Sequence, residues 1–282
     1  NKLRPMKLIT DQATLAPYIP NMIVNVKGET ALFDKIAVHL QAAEDWVIRT
    51  FTSQKPFTAI VGYVADNPIR ILTARLIVAE ALRLAVPSLD LVFTPNGFAV
   101  TQTSNLTPAS KQRVDRLIGS LSTLRDECIA QLLPLLPGVS QWLNSDRAAY
   151  FGATLFPTLD IVEQVPGNTT KWERWLELRP KVIDLEASLA EEWFSPELMS
   201  VLRDRNLRNT LPDTDKRFVA EIQAQIIAYL NGGSFSTRRL GDIVNFIRRN
   251  PAAFPEWHNS ATAELFSPPV FKNKKNASGY FF

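Results

Sequence analysis

The residues that could do chemistry in this chain are few and far apart. Its two histidines are His39, which shares a helical face with Ile36 and Ala43, and His258, inside Trp257-His258-Asn259. A zinc centre needs three or four His, Cys or carboxylate ligands in a set geometry, and a single cysteine, Cys128, excludes the structural zinc types. Both histidines read as helix residues at the edge of a core. No serine stands in a G-x-S-x-G turn, and two isolated histidines leave a nucleophilic triad almost without a base. Gly232-Gly233 follows a helix and lacks the lysine and onward helix of a phosphate cradle, so it reads as a helix stop. Glu44-Asp45 and Glu191-Glu192 offer carboxylates for acid–base work, but adjacent acids at the end of an amphipathic helix read as a solvated face. The sequence therefore assigns no catalytic, metal-binding or cofactor-binding residue, and the chain reads as a non-enzyme.

Binding is what remains. Arg238, Arg239, Arg248 and Arg249 are candidate DNA contacts of the kind that touch phosphate without reading bases. The net charge is only +3, from 31 basic and 28 acidic residues over 282 positions, a weak field beside that of dedicated nucleic-acid binders. Two segments look like attachment devices. Leu91-Val92-Phe93-Thr94 and Gly97-Phe98-Ala99-Val100 are β-prone runs joined by Pro95-Asn96, a turn signal that predicts a hairpin. Two strands alone are marginal in water, so Leu91, Phe93, Asn96, Gly97, Phe98 and Val100 are interface candidates, to be covered by their own bundle or by a neighbour. The closing aromatics Tyr280, Phe281 and Phe282 follow a proline- and lysine-bearing stretch and seek a pocket, in their own domain or in another subunit.

The elements that carry these devices are helices. Apolar residues recur at helical spacing over 32–51, 68–86, 114–132, 182–193, 218–229 and 240–247, while Asn67-Pro68 and Ser195-Pro196 mark helix starts. The run from Ile69 to Val86 is apolar on nearly all sides, yet Arg70, Arg75, Glu80 and Arg83 make it a buried central helix and no membrane span. One cysteine permits no intrachain disulfide and fits a reducing cytoplasm.

The chain also repeats itself. Ala43-Glu44-Asp45-Trp46 reappears as Ala190-Glu191-Glu192-Trp193, and Gln112-Arg113-Val114-Asp115-Arg116-Leu117-Ile118 as Arg238-Arg239-Leu240-Gly241-Asp242-Ile243-Val244, with the interval longer in the first copy by about the segment Pro87 to Thr107. Duplication and convergence of amphipathic helices both account for such matches. The resulting expectation is a mainly α chain of two tandem helical-bundle units. Residues 1–149 form a bundle with an inserted hairpin at about 88–104, residues 150–264 a second bundle and degenerate repeat, and residues 265–282 an extended tail.

The runs Lys7-Leu8-Ile9-Thr10, Tyr18-Ile19-Pro20, Ala42-Ala43-Glu44-Asp45-Trp46, Leu91 to Val100, Pro108-Ala109-Ser110-Lys111-Gln112-Arg113-Val114 and Ser278-Gly279-Tyr280-Phe281-Phe282 resemble an uncharacterised protein family of Bacteroidales and their phages. The first half is similar in layout to the head–tail connector, or adaptor, proteins of tailed phages, small helical bundles with a hairpin or tail that form a ring beneath the portal. This resemblance implies a virion neck protein made in the bacterial cytoplasm. It would assemble as a homo-oligomeric ring with portal and tail proteins as partners, DNA passing through the lumen, no cofactor and no membrane. The alternative is a DNA-binding or packaging accessory protein that does not read sequence.

Overall fold

A computed structural model describes residues 8–19, 30–89, 91–94, 97–100 and 110–267, with the backbone alone at 91–94 and 97–100. Helix dominates these residues, as the apolar spacing requires. The short α1 (Gln12–Leu15) is capped by Asp11. The Thr14 amide donates to the Asp11 carboxylate at 2.8 Å, and the Thr14 hydroxyl oxygen accepts from the Asp11 amide. Next, α2 (Leu32–Val47) buries Ile36, Leu40, Ala43 and Val47 on one stripe. It ends in a π-turn, Ile48–Thr52, before α3 (Gln54–Val61).

The Asn67 side chain then accepts amides of Ile69 and Arg70, and Pro68 opens α4 (Pro68–Ala85) where no donor is needed. This helix packs against α2 and is buried on most of its circumference, the central position expected of it. The backbones of β1 (Leu91–Thr94) and β2 (Gly97–Val100) pair antiparallel, Leu91 opposite Val100 and Thr94 opposite Gly97. The helix α5 (Lys111–Leu132) lies along α4 and stops before Pro134. Two short helices follow, α6 (Asp146–Phe151) and α7 (Asp160–Gln164), then the long α8 (Lys171–Leu189).

The chain divides into two compact units, but not at 149/150. Unit one takes the described residues up to Pro180 together with Leu207–Thr210, and unit two takes Lys181–Asn206 and the described residues from Leu211 onward. The boundary lies later because aromatic residues beyond position 149 complete the core of unit one. Phe151 stacks 6.1 Å from Phe51, Trp172 lies 5.0 Å from Phe51, and Trp175 lies 5.4 Å from both Phe151 and Trp172. A buried charge cluster anchors the start of α8 there. The Arg125 guanidinium meets Asp126 at 2.8 Å and Glu80 at 3.7 Å and donates to the Thr170 hydroxyl, while Asp126 accepts the Trp172 amide.

In unit two, a second π-turn (Ala190–Phe194) ends α8 and precedes α9 (Pro196–Leu207), whose last residue belongs to unit one. The remaining helices are α10 (Asp213–Leu230), α11 (Thr237–Arg249), α12 (Pro255–His258) and α13 (Ala261–Leu265). Asn231 and Gly232, the latter at φ 87°, close α10 as its sequence signals. Phe194, Phe218 and Phe254 form the aromatic centre of this unit, with ring centroids 5.2 and 6.1 Å apart.

Candidate functional site

The feature that stands out in the side-chain geometry is a device built twice. In unit one the π-turn Ile48–Thr52 ends at Ser53, held at φ 64° and ψ 168°; in unit two the π-turn Ala190–Phe194 ends at Ser195, at φ 65° and ψ 145°. Non-glycine residues rarely adopt this backbone conformation. The last turn of a helix leaves carbonyls without amide partners, and side chains from later in the chain supply the missing donors. The Trp142 indole N–H donates to the Phe51 carbonyl at 2.7 Å, and the Trp257 indole N–H to the Trp193 carbonyl at 2.9 Å. Arg147 Nη1 donates to the Arg49 carbonyl at 2.9 Å, a cation at a helix C-terminus, where the dipole favours it. In the other unit Thr262 Oγ1 lies 3.4 Å from the carbonyls of Ala190 and Glu191.

The donors sit on matching clips. In the first, the Ser145 hydroxyl donates to the Trp142 carbonyl at 2.6 Å and accepts the Ala148 amide at 3.2 Å; in the second, Ser260 bonds the Trp257 carbonyl and the Ala263 amide at the same two distances. Each serine thereby caps a short helix, which has an aromatic residue as its last position (Phe151) or immediately after it (Phe266). Phe151 lies 6.1 Å from Phe51 and 6.5 Å from Trp142, while Phe266 lies 5.8 Å from Trp193 and 6.0 Å from Trp257. Both segments fit Trp-x-Asn-Ser-x-x-Ala-x-x-Phe, at 142–151 and 257–266.

These anchors fix the register of the repeat and correct the one read from sequence. Phe51 matches Trp193, so Ala43-Glu44-Asp45-Trp46 is not the partner of Ala190-Glu191-Glu192-Trp193. Trp46 lies in α2, whereas Trp193 lies in a π-turn. In the structural register Ile36, Leu40, Glu44 and Val47 match Leu178, Val182, Glu186 and Leu189, and all eight are buried. Glu44 therefore does not belong to a solvated face. Its counterpart Glu186 is fully buried and paired to Arg203 at 2.7 Å. In the central helices Ile77 and Glu80 match Ile222 and Gln225, again all buried, and in the following helices Ile129 and Leu132 match Val244 and Ile247. Gln112 to Ile118 then fall in turns of α5 that have no counterpart in α11. Copy one accordingly differs from copy two by those turns as well as by the residues between α4 and α5.

The expected binding residues are placed as follows. Leu91, Phe93, Gly97, Phe98 and Val100 lie on β1 and β2, where only the backbone is described; Asn96 and the tail residues Tyr280, Phe281 and Phe282 lie outside the described residues. Arg238, Arg239, Arg248 and Arg249 are all exposed on α11, and Arg239 reaches Glu221 at 3.4 Å. A cavity of about 450 Å³ between α10 and α11 is lined by Arg217, Glu221, Arg239, Asp242, Phe218 and Phe246 among others. His258 faces the Ile247 carbonyl at 3.1 Å. No group of three or more His, Cys, Asp or Glu residues among the described ones has the arrangement of a metal site, and no described helix is long and apolar enough to cross a membrane. Burial pushes the Cys128 thiol up to about 11, which keeps it protonated and unreactive at neutral pH.

The paired clips are what the sequence reading passed over. Their sequence signal is the recurrence of Trp-x-Asn-Ser at 142–145 and 257–260, which the pairing of charged helix residues does not contain. Residues 23–152 match the model of a family of unknown function, DUF6712. That span contains the first clip and its π-turn and stops short of the second copy. No curated protein and no solved structure matches the chain.

Proposed function

We propose that the protein is a structural subunit of a phage or prophage particle, a head–tail connector that joins portal to tail as one member of a ring. The observation that carries this reading is what the two copies have in common. Every shared feature is architectural: buried faces, π-turns, serine caps and indole clips. The one titratable residue that recurs unchanged at the same position of both described copies, Glu44 and Glu186, is buried in the helix packing, where Glu186 is paired to Arg203. An enzyme built by duplication would retain a reacting group in at least one copy, set against a cleft, whereas a scaffold retains shape. On this reading the segment around β1 and β2 and the aromatic tail are the points of attachment to portal, tail or neighbouring subunits. Purified protein, examined by mass photometry and electron microscopy with and without the portal, is expected to form rings. A strictly monomeric species even in the presence of portal contradicts the proposal.

One observation favours a second reading, as a DNA-binding or packaging accessory protein. All four arginines singled out on α11 are exposed, two in its first turn and two in its last. Phosphate contacts release counterions, so this reading expects duplex binding that weakens steeply from low to physiological salt, independently of sequence. A connector, whose lumen only passes DNA, shows little affinity in the same titration.

A further inference from the structure

The seam between the central helix and the next long one is closed in unit one and open in unit two. In the structural register Leu72 and Leu76 of α4 match Arg217 and Glu221 of α10, and Leu124 and Cys128 of α5 match Arg239 and Ile243 of α11. Leu72, Leu76 and Cys128 are buried where α5 lies along α4. In unit two the same positions line the cavity of about 450 Å³, so three apolar positions of the closed seam carry charge in the open one. Gln225 Oε1 accepts the Ser236 amide at 2.8 Å and ties the two helices together at one end. One turn further along, Glu221 is engaged by Arg239 at 3.4 Å and by Gln225 Nε2 at 3.0 Å. Beyond them the Phe218 and Phe246 rings both pack on Phe254, with centroids 6.1 and 6.0 Å away, and Phe246 keeps 45% of its surface exposed. Arg217 and Asp242 line the cavity one turn past the Glu221–Arg239 pair, one on each helix, and neither has an ion-pair partner among the described residues.

The two arginines and two acids of this cavity sum to zero charge, so a free anion or cation loses to one wall what it gains from the other. A neutral, flat group fits better if it accepts a hydrogen bond on one edge, donates on another and lays its face on an accessible ring. We propose that the cavity between α10 and α11 is a binding site for the guanine base. Guanine O6 and N7 accept from the Arg217 guanidinium, and its N1–H and N2–H donate to the two carboxylate oxygens of Asp242. The base rests on the Phe246 ring, a stacking contact that needs no charge. Guanine is selected because it alone among the common bases offers N–H donors on two neighbouring atoms to one carboxylate. Its pairing edge must be free, so the base comes from a nucleoside, a nucleotide or a single strand and not from an intact duplex. Such a site stands apart from the connector reading. It also differs from the duplex binding considered above, because it reads a base edge rather than phosphate charge.

The test is calorimetric titration of the full-length chain with guanosine, which carries no phosphate, beside inosine, which lacks only the 2-amino group, and adenosine. Guanosine is expected to bind at one site, inosine about tenfold more weakly through the loss of one hydrogen bond to a carboxylate, and adenosine more weakly than inosine. Asp242→Asn changes an exposed side chain and leaves one acceptor oxygen, and it is expected to erase the preference for guanosine over inosine. Phe246→Ala is expected to weaken all three by about tenfold through the loss of stacking. A short thymine strand with and without one guanine separates the sources of the base. A guanine-dependent affinity above that of guanosine assigns the base to a strand, an affinity no higher assigns it to a free nucleoside or nucleotide, and both uphold the site. Failure of both guanosine and the guanine-bearing strand to bind, equal binding of guanosine and inosine by the unaltered chain, or a guanosine preference that survives Asp242→Asn overturns the proposal.

Discussion

The same clip closes both units, but it is set in very different surroundings. In unit one it is part of a continuous aromatic cluster in which Trp142, Phe151, Phe51, Trp172 and Trp175 follow one another, and Arg179 lies 3.7 Å from the centre of the Tyr150 ring. In unit two the corresponding cluster is Trp193, Trp257 and Phe266, with Trp193 only half-buried. The central helices differ in the same sense. Helix α4 is buried nearly all round and carries Glu80 in a charge cluster with Arg83 and Arg125, while the matching α10 keeps one buried face and satisfies Gln225 with the Ser236 amide at 2.8 Å. One module has thus become the heavily packed body and the other a lighter version with an open groove along α10 and α11. A fold can be preserved by a few geometric fixtures while the packing around them diverges freely.

The largest effects should come from the indoles. Trp142→Ala and Trp257→Ala each empty a buried aromatic site and orphan a π-turn carbonyl, at a cost of about 3–5 kcal/mol in urea unfolding. The loss at Trp142 is expected to exceed that at Trp257, because Trp142 adjoins the larger aromatic cluster of unit one through Phe151; the reverse order breaks the comparison. Arg125→Ala comes next, also at about 3–5 kcal/mol, since it leaves the buried Asp126 carboxylate without its cation, while Glu80 keeps Arg83. The matching residue of unit two, Leu240, has no charge to strand, so hydrogen exchange should report the Arg125→Ala loss in unit one.

Smaller changes sharpen the contrast. Among the described residues the Thr52 hydroxyl is buried without a hydrogen-bond partner, at the position that Phe194 fills in unit two. Thr52→Val is therefore expected to stabilise unit one by about 1–2 kcal/mol, measured by calorimetry. Ser53→Gly and Ser195→Gly both relieve a left-handed backbone, but only Ser195 also caps a helix, accepting the Leu198 amide at 3.2 Å. Ser53→Gly should be the more stabilising of the two, by about 1 kcal/mol. The smallest effect concerns pH. Cys128 keeps its proton to about 11 in the folded chain, whereas an exposed thiol loses it near its ordinary value of 9.0, so unfolding releases a proton between them. Stability carried by this thiol is whole below pH 9 and falls as pH rises towards 11; Cys128→Ala should remove that part of the alkaline slope in urea titrations.

Much of the helical order could be read directly in the residues. The stripe Ile36, Leu40, Ala43 and Val47, the Asn67-Pro68 start and the Asn231-Gly232 stop all arise from local rules of periodicity and capping. The π-turns could not be read that way. A single π-turn such as Ile48–Thr52 is too short to leave a periodic signature of its own, so the run from Leu32 to Phe51 reads as one helix. The unit boundary was hidden for a related reason: Trp172 and Trp175 open a helix that continues into unit two, and only packing reveals that their rings belong to unit one. The clips were visible in the sequence, but their purpose was not, because the carbonyls they satisfy lie far away along the chain.

The most direct test of the account, that one latched module occurs twice, is to transplant a clip. In the full-length chain, residues 142–151 are replaced by the sequence of residues 257–266, and a control carries the same composition scrambled. The account predicts that the transplant keeps cooperative unfolding, with protection of the Phe51 region in hydrogen exchange close to that of the original chain, while the scrambled control loses both. A transplant that behaves like the scrambled control would show that the two clips are not the same device, and the account would fail.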